Sequence, residues 1–511
     1  MGPPDAVDKA CPMTTYRKRA LLLATATLAA GLTATAAPAV AGAAPAGPRL
    51  DWHRCTHQGA PTVQECAELP VPLDYDDPDG RQITIAVSRI RSDRPEARRG
   101  TLVVIPGGPG GSGVQRLTQK GDALRRELAG AYDLVAFDPR GVGASTTASC
   151  NLAPEDRYLT SLRSWPGPNG EITENVERSR RIAEACALGG GPELRSFTTA
   201  NQVRDMDRFR EALGERKLSA WGTSYGTYVG AVYAQKYPRR TDRWVLDSSG
   251  DPDPKRVARG WLANMSQGAT DRFPDFAAWA AHPDRDADGL RLAADPQDVE
   301  PLVVALAARL DREPRTSTTP GVPLTGNGLR QALQNALYSD SAFASFAGLV
   351  KVAQDPAGTP VLPRELAEPI RNEDAALMVG VICNDVAWPD TSMAAYRRAV
   401  EEDRTRHPLT AGMPVNVLPC SFWTTPTQKP TRITDDGPSN ILMLQSRRDP
   451  ATPLSGGLRM REALGDRARL VTVEQGGHGL YLGNGNACGN RVVTEFLTSG
   501  RRPSRDTECP N

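Results

Sequence analysis

A serine set between two glycines, where an apolar run gives way to a helix-compatible one, constrains this chain more than any other feature: Gly222-Thr223-Ser224-Tyr225-Gly226. Leu218-Ser219-Ala220-Trp221 reads as a short buried strand, and Tyr225 to Lys236 places Tyr228, Val229, Val232 and Tyr233 at helical spacing. A strand that turns directly into a helix forces the corner residue into strained backbone, which only small neighbours permit, and lifts its side chain above the sheet edge. The pattern predicts a nucleophile elbow with Ser224 as the presented hydroxyl.

The first residues read as a segment apart. Arg17-Lys18-Arg19 precedes an uncharged Ala/Leu-rich stretch from Ala20 to about Ala41 that closes on small residues. This predicts a secretory signal peptide over residues 1–41, with cleavage within 41–46 and a secreted, extracellular product. Gly31 and Pro38 break the stretch, which argues against a retained anchor, and no later segment is apolar enough to span a bilayer. The formal net charge is +1, and Lys9, Arg17, Lys18 and Arg19 against Asp5 and Asp8 put +2 in the leader, leaving the remainder near −1. That balance excludes nucleic acid and anionic membrane as partners. A monomer is expected.

Of nine cysteines, Cys11 falls in the leader, and the even remainder in an exported chain points to disulfides. Pairing each cysteine with its neighbour in sequence closes four local loops: Cys55 with Cys66, Cys150 with Cys186, Cys383 with Cys420, and Cys488 with Cys509. None of the spacings resembles a zinc site, and no metal or cofactor is expected.

From Thr101 strands and helices alternate. Thr101 to Ile105 and Tyr132 to Phe137 read as buried strands, Asn201 to Leu213 as an amphipathic helix, and Arg243 to Asp247 as the strand after the elbow. Such alternation predicts an α/β fold, a mostly parallel sheet with helices on both faces. Residues 47–250 are expected to form the first part of this core, and 251–432, poor in strand-like runs, an inserted mostly helical cap. Residues 433–511 restore the rhythm with Ile441 to Gln445, a helix near Leu454 to Leu464, Arg469 to Glu474 and a closing helix. A Pro-rich tail without predicted structure follows Gly500.

A serine hydroxyl needs a base, and the base an orienting acid. Five histidines are available. His53 and His57 flank Cys55, without a third ligand pattern for a metal, and His282 and His407 fall in the helical stretch. His478 alone sits in a loop after a core strand, between Gly476-Gly477 and Gly479, and is the predicted base. The acid should lie between serine and histidine in the chain. Asp449, in Arg448-Asp449-Pro450-Ala451-Thr452-Pro453, fits that order, with Asp247 as the competing candidate. Backbone N–H groups of Tyr225, after the serine, and Gly108, in the loop Pro106 to Gly113, are the predicted oxyanion donors. That loop lacks both the Lys-Ser/Thr ending of a phosphate loop and the spacing of a dinucleotide fingerprint.

Together, Pro106-Gly107-Gly108-Pro109-Gly110, Asp138-Pro139-Arg140-Gly141-Val142-Gly143, Gly222 to Gly226, Arg448 to Pro453 and Gly477-His478-Gly479 resemble the secreted tripeptidyl aminopeptidases of actinomycetes. These are α/β-hydrolase serine peptidases related to proline iminopeptidases. Cys383-Asn384-Asp385, Cys420, Trp423 and Cys509 look like that family's C-terminal region, whereas Ile105 stands where proline iminopeptidases usually carry His. The resemblance implies an α/β-hydrolase fold and an exopeptidase acting on peptides with free N-termini through Ser224, His478 and Asp449. Such an enzyme needs a carboxylate for the substrate ammonium; Asp385, Asp251 and Asp253 are candidates, with none singled out. The same triad also suits a secreted esterase or small-molecule hydrolase.

Overall fold

The computed structural model describes residues 49–510 apart from 254–258, 425 and 427. The predicted signal segment lies outside the described residues. A ten-stranded sheet organises the chain: β1 (His53–Arg54), β2 (Gln64–Pro72), β3 (Gln82–Ile90), β4 (Gly100–Ile105), β5 (Tyr132–Phe137), β6 (Leu218–Thr223), β7 (Thr241–Asp247), β8 (Ile441–Arg448), β9 (Ala468–Gly476) and β10 (Thr507–Cys509). Their order is β1-β2-β3-β5-β4-β6-β7-β8-β9-β10. The strands β1 to β3 pair antiparallel, β3 joins β5 antiparallel, and every pairing from β5 to β10 is parallel.

The parallel strands are continuous apolar runs because helices cover both faces. Alternate side chains divide between two cores. Val103, Ile105, Val135, Phe137, Ala220 and Leu246 pack against helices Thr199–Ala212 and Tyr225–Lys236. Leu102, Val104, Leu134, Trp221, Val245 and Leu444 pack against helices Gly113–Leu128 and Ala487–Ser499. This is the α/β-hydrolase fold.

The antiparallel entry has no counterpart in the sequence reading. The β2 segment carries Pro70 and Pro72, which read as strand breakers. Since β1 opposes only Glu65 and Cys66, the proline half of β2 is an edge. There Pro72 O accepts from Arg140 Nη2 at 2.7 Å, so the prolines' missing donors face outward rather than into the β2–β3 ladder. The C-terminal tail is a correction too. Thr507 to Cys509 pair with Val471 to Val473 of β9, held by the Cys488–Cys509 disulfide.

All the described elements between β7 and β8 are helical, and they bury a core of their own around Phe276, Leu306, Leu333 and Phe346. The β5–β6 connection contributes to this region as well: Ile172 packs with Tyr396, Val400 and Val417. The four disulfides pair cysteines adjacent in sequence, as expected: 55–66, 150–186, 383–420 and 488–509.

Candidate active site

Ser224 occupies the corner between β6 and helix Tyr225–Lys236 with φ 60° and ψ −128°, a backbone region that non-glycine residues seldom adopt. Its N–H donates to Asp247 O at 3.0 Å, and its carbonyl accepts from Thr227 N and Thr227 Oγ1. The flanking glycines are required by close approach. A Cβ on Gly222 would stand 2.5 Å from Gly226 O, and one on Gly226 would stand 2.5 Å from Ile105 O. Gly107 faces the serine directly, since a Cβ there would meet Ser224 Cβ at 2.9 Å. The β4 loop therefore lies against the elbow, as β4 lies beside β6.

His478 and Asp449 form a tight pair. His478 Nδ1 lies 3.0 Å from Asp449 Oδ1 and 2.9 Å from Oδ2. The aspartate is fully buried, and the Ala451 and Thr452 amides donate to its Oδ1 at 2.8 Å, with Thr452 Oγ1 on Oδ2 at 3.0 Å. Burial alone would lower the His478 pKa, but the charge and hydrogen bond of Asp449 outweigh it and raise the pKa above the ordinary 6.5. Ser224 and His478 line one cavity, so the structure brings the predicted nucleophile and base together with the predicted acid behind.

Asp247 takes a different place. Its carboxylate accepts from Leu480 N and Tyr481 N at 2.9 Å, and from Trp221 Nε1 and Ser248 Oγ. Ser248 Oγ in turn accepts from Gly479 N, and Tyr338 O from His478 N. The aspartate thus holds the loop that carries His478 rather than the imidazole itself. Removing it orphans two backbone donors in the core, so Asp247→Ala is expected to cost about 2–6 kcal/mol, read as a lower urea midpoint, and to depress kcat through a loosened His478 loop.

Tyr225 opens its helix, where an amide N–H has no intrahelical acceptor, and the helix dipole places partial positive charge beside Ser224. Gly108, with φ 116°, and Tyr225 both line the Ser224 cavity. Sequence reading assigned no task to Asp138 and Arg140, which are scaffolding: Asp138 Oδ1 accepts from Ser112 Oγ and Val114 N, tying down the end of the glycine loop. Arg140 Nε pairs with buried Asp205 at 2.6 Å.

The cavity encloses about 880 Å³. Apolar side chains such as Trp261, Met265, Met378 and Ile382 line it, together with Arg116, Lys120, Arg163 and, among the described residues, one carboxylate, Asp385. The other two acids considered for the amine are elsewhere. Asp251 is buried against Arg459 Nη1 at 3.2 Å, and Asp253 N donates to Asp251 Oδ1. His57 lies near Cys55 and Cys66, but those sulfurs are joined in a disulfide and offer no thiolate ligands.

A family profile described as "TAP-like protein" matches residues 408–509. Over 496 residues the chain is 34% identical to a tripeptidyl aminopeptidase of Streptomyces lividans, covering 93% of this chain and 88% of that one. It is 28% identical to the serine protease Hip1 of Mycobacterium tuberculosis, over 91% of both chains. A carboxylesterase B of the same species is 29% identical over 92% of this chain and 91% of that one. By identity and coverage along nearly its whole length, the chain belongs to the tripeptidyl aminopeptidase family.

Proposed function

We propose that the chain is a secreted serine exopeptidase that releases short peptides, tripeptides in the family's manner, from free N-termini. The observation that carries this reading is Ser224 at a strained elbow on the same cavity as His478, whose other nitrogen is held by buried Asp449. Four disulfides suit an oxidising compartment, and no described helix is long and apolar enough to cross a membrane.

In this mechanism neutral His478 accepts the Ser224 hydroxyl proton at Nε2 as Oγ bonds to the scissile carbonyl carbon. The oxyanion that forms takes hydrogen bonds from the Tyr225 and Gly108 amides. The C–N bond then breaks as His478 returns its proton to the leaving amine, giving an acyl-enzyme and a shortened peptide. Water, deprotonated by His478, attacks the ester, and Ser224 leaves with that proton. Asp449 stays ionised throughout and stabilises the imidazolium.

The test is a set of peptide anilides and esters. Tripeptide anilides with free N-termini should be cleaved at least about 100-fold faster than N-acetylated ones, the discrimination of roughly 3 kcal/mol that a buried charge contact supplies. Equal cleavage of blocked peptides would sink the exopeptidase reading, and turnover of esters without amides would replace it with an esterase.

A further inference from the structure

Asp385 is the one carboxylate among the described residues that line the Ser224 cavity. It ends helix Asn372–Asp385, whose dipole already leaves partial negative charge at that point, so the helix disfavours an ionised group there. Its position is fixed: Cys383, two residues before it, is bonded to Cys420, and the intervening Asn384 donates to Leu194 O and accepts from Trp423 Nε1. The carboxylate receives Thr199 N at 2.7 Å on Oδ1 and Thr199 Oγ1 on Oδ2. Each oxygen keeps a lone pair. Burial raises its pKa to about 6, opposed only by the Thr199 hydrogen bonds and by no basic side chain. An ionised group in such surroundings calls for a cation, and among the described residues no basic side chain pairs with it.

Resting on the exopeptidase reading, we infer that Asp385 binds the α-ammonium of the substrate and so sets the distance from the N-terminus to the bond that is cut. Thr199 Oγ1, which donates to Asp385, lies 2.5 Å from the Tyr225 hydroxyl. Asp385 is thus linked through Thr199 to the side chain of the residue whose amide is the predicted oxyanion donor. Laid end to end, a tyrosine side chain and two hydrogen bonds reach on the order of 10 Å, which bounds the separation from above, and an extended peptide covers ~3.3–3.6 Å per residue, so the gap admits no more than about three residues. The cations Arg116, Lys120 and Arg163 on the same cavity repel an ammonium, which leaves Asp385 as its place.

The test compares two substrates: a tripeptide anilide with a free α-amine, and its desamino analogue, in which the N-terminal alanyl is replaced by propionyl. In Asp385→Asn, which still offers an oxygen to Thr199, kcat/KM for the free-amine substrate should fall about 30- to 150-fold, mainly through KM, with the desamino substrate within about 3-fold of wild type. Asp385→Glu keeps the charge and should retain the preference for the amine. Parallel losses on both substrates, or no loss on either, overturn the assignment of Asp385 while leaving the peptidase reading intact. Wild-type enzyme that does not distinguish the two substrates overturns both.

Discussion

Ser224→Ala is expected to lower kcat on a free tripeptide anilide by about 10⁶-fold, the loss that follows removal of the nucleophile from a serine peptidase triad. The fold should survive the change. Ser224 anchors the corner through its backbone, by the bonds to Asp247 O and from Thr227, and these are unaffected by loss of Oγ. Alanine also carries the same Cβ and meets the same conformational cost at φ 60°. The unfolding midpoint should therefore match wild type. Ser224→Gly, equally inactive, should rise by roughly 1 kcal/mol, because glycine adopts this backbone without strain. Measurable turnover by the alanine variant, above what contaminating wild type explains, would remove Ser224 from the mechanism.

Asp449→Asn should cost about 10⁴-fold in kcat, and the surrounding hydrogen bonds say why. The Ala451 and Thr452 amides both donate to Oδ1, so the carbonyl oxygen of an asparagine has to occupy that position. Its NH₂ group then faces His478 Nδ1 where Oδ2 stood. The imidazole must accept there, which places its proton on Nε2 and leaves nothing to receive the Ser224 proton. The pH profile provides a second check. His478 acts as a neutral base, so kcat/KM falls as pH drops through its folded pKa, which Asp449 holds above 6.5. With that charge removed, the acid limb of the residual activity should move to lower pH. A limb that stays in place would separate Asp449 from His478 function.

The elbow was legible because its constraint is local. Gly222 and Gly226 are demanded because a Cβ on either would stand 2.5 Å from a backbone oxygen, and the strand and helix on either side are short buried runs that meet directly at the serine. His478 and Asp449 were legible by chain order and by exclusion of other histidines. Asp247 was not: as a strand-end aspartate it reads like a triad acid, and only the path of Leu480 and Tyr481 beneath it reveals a loop anchor. The β2 strand was hidden by Pro70 and Pro72, since the open edge that tolerates them is a property of the assembled sheet. The β10 strand was hidden because three residues carry no period of their own and pair only where a disulfide delivers them.

The amino-acid sequence by itself determined the α/β class, through the alternation of strand and helix patterns along the chain, and the glycine-flanked serine corner, which depends on residues within a few positions of one another. The tertiary structure alone decided which acid meets the imidazole, which acid holds its loop and which one faces the Ser224 cavity. Asp247, Asp251 and Asp385 are chemically alike and separated along the chain. Their tasks differ through what the fold packs against each: two backbone amides of the His478 loop, the Arg459 guanidinium, and, for Asp385, the Thr199 donors and an open cavity.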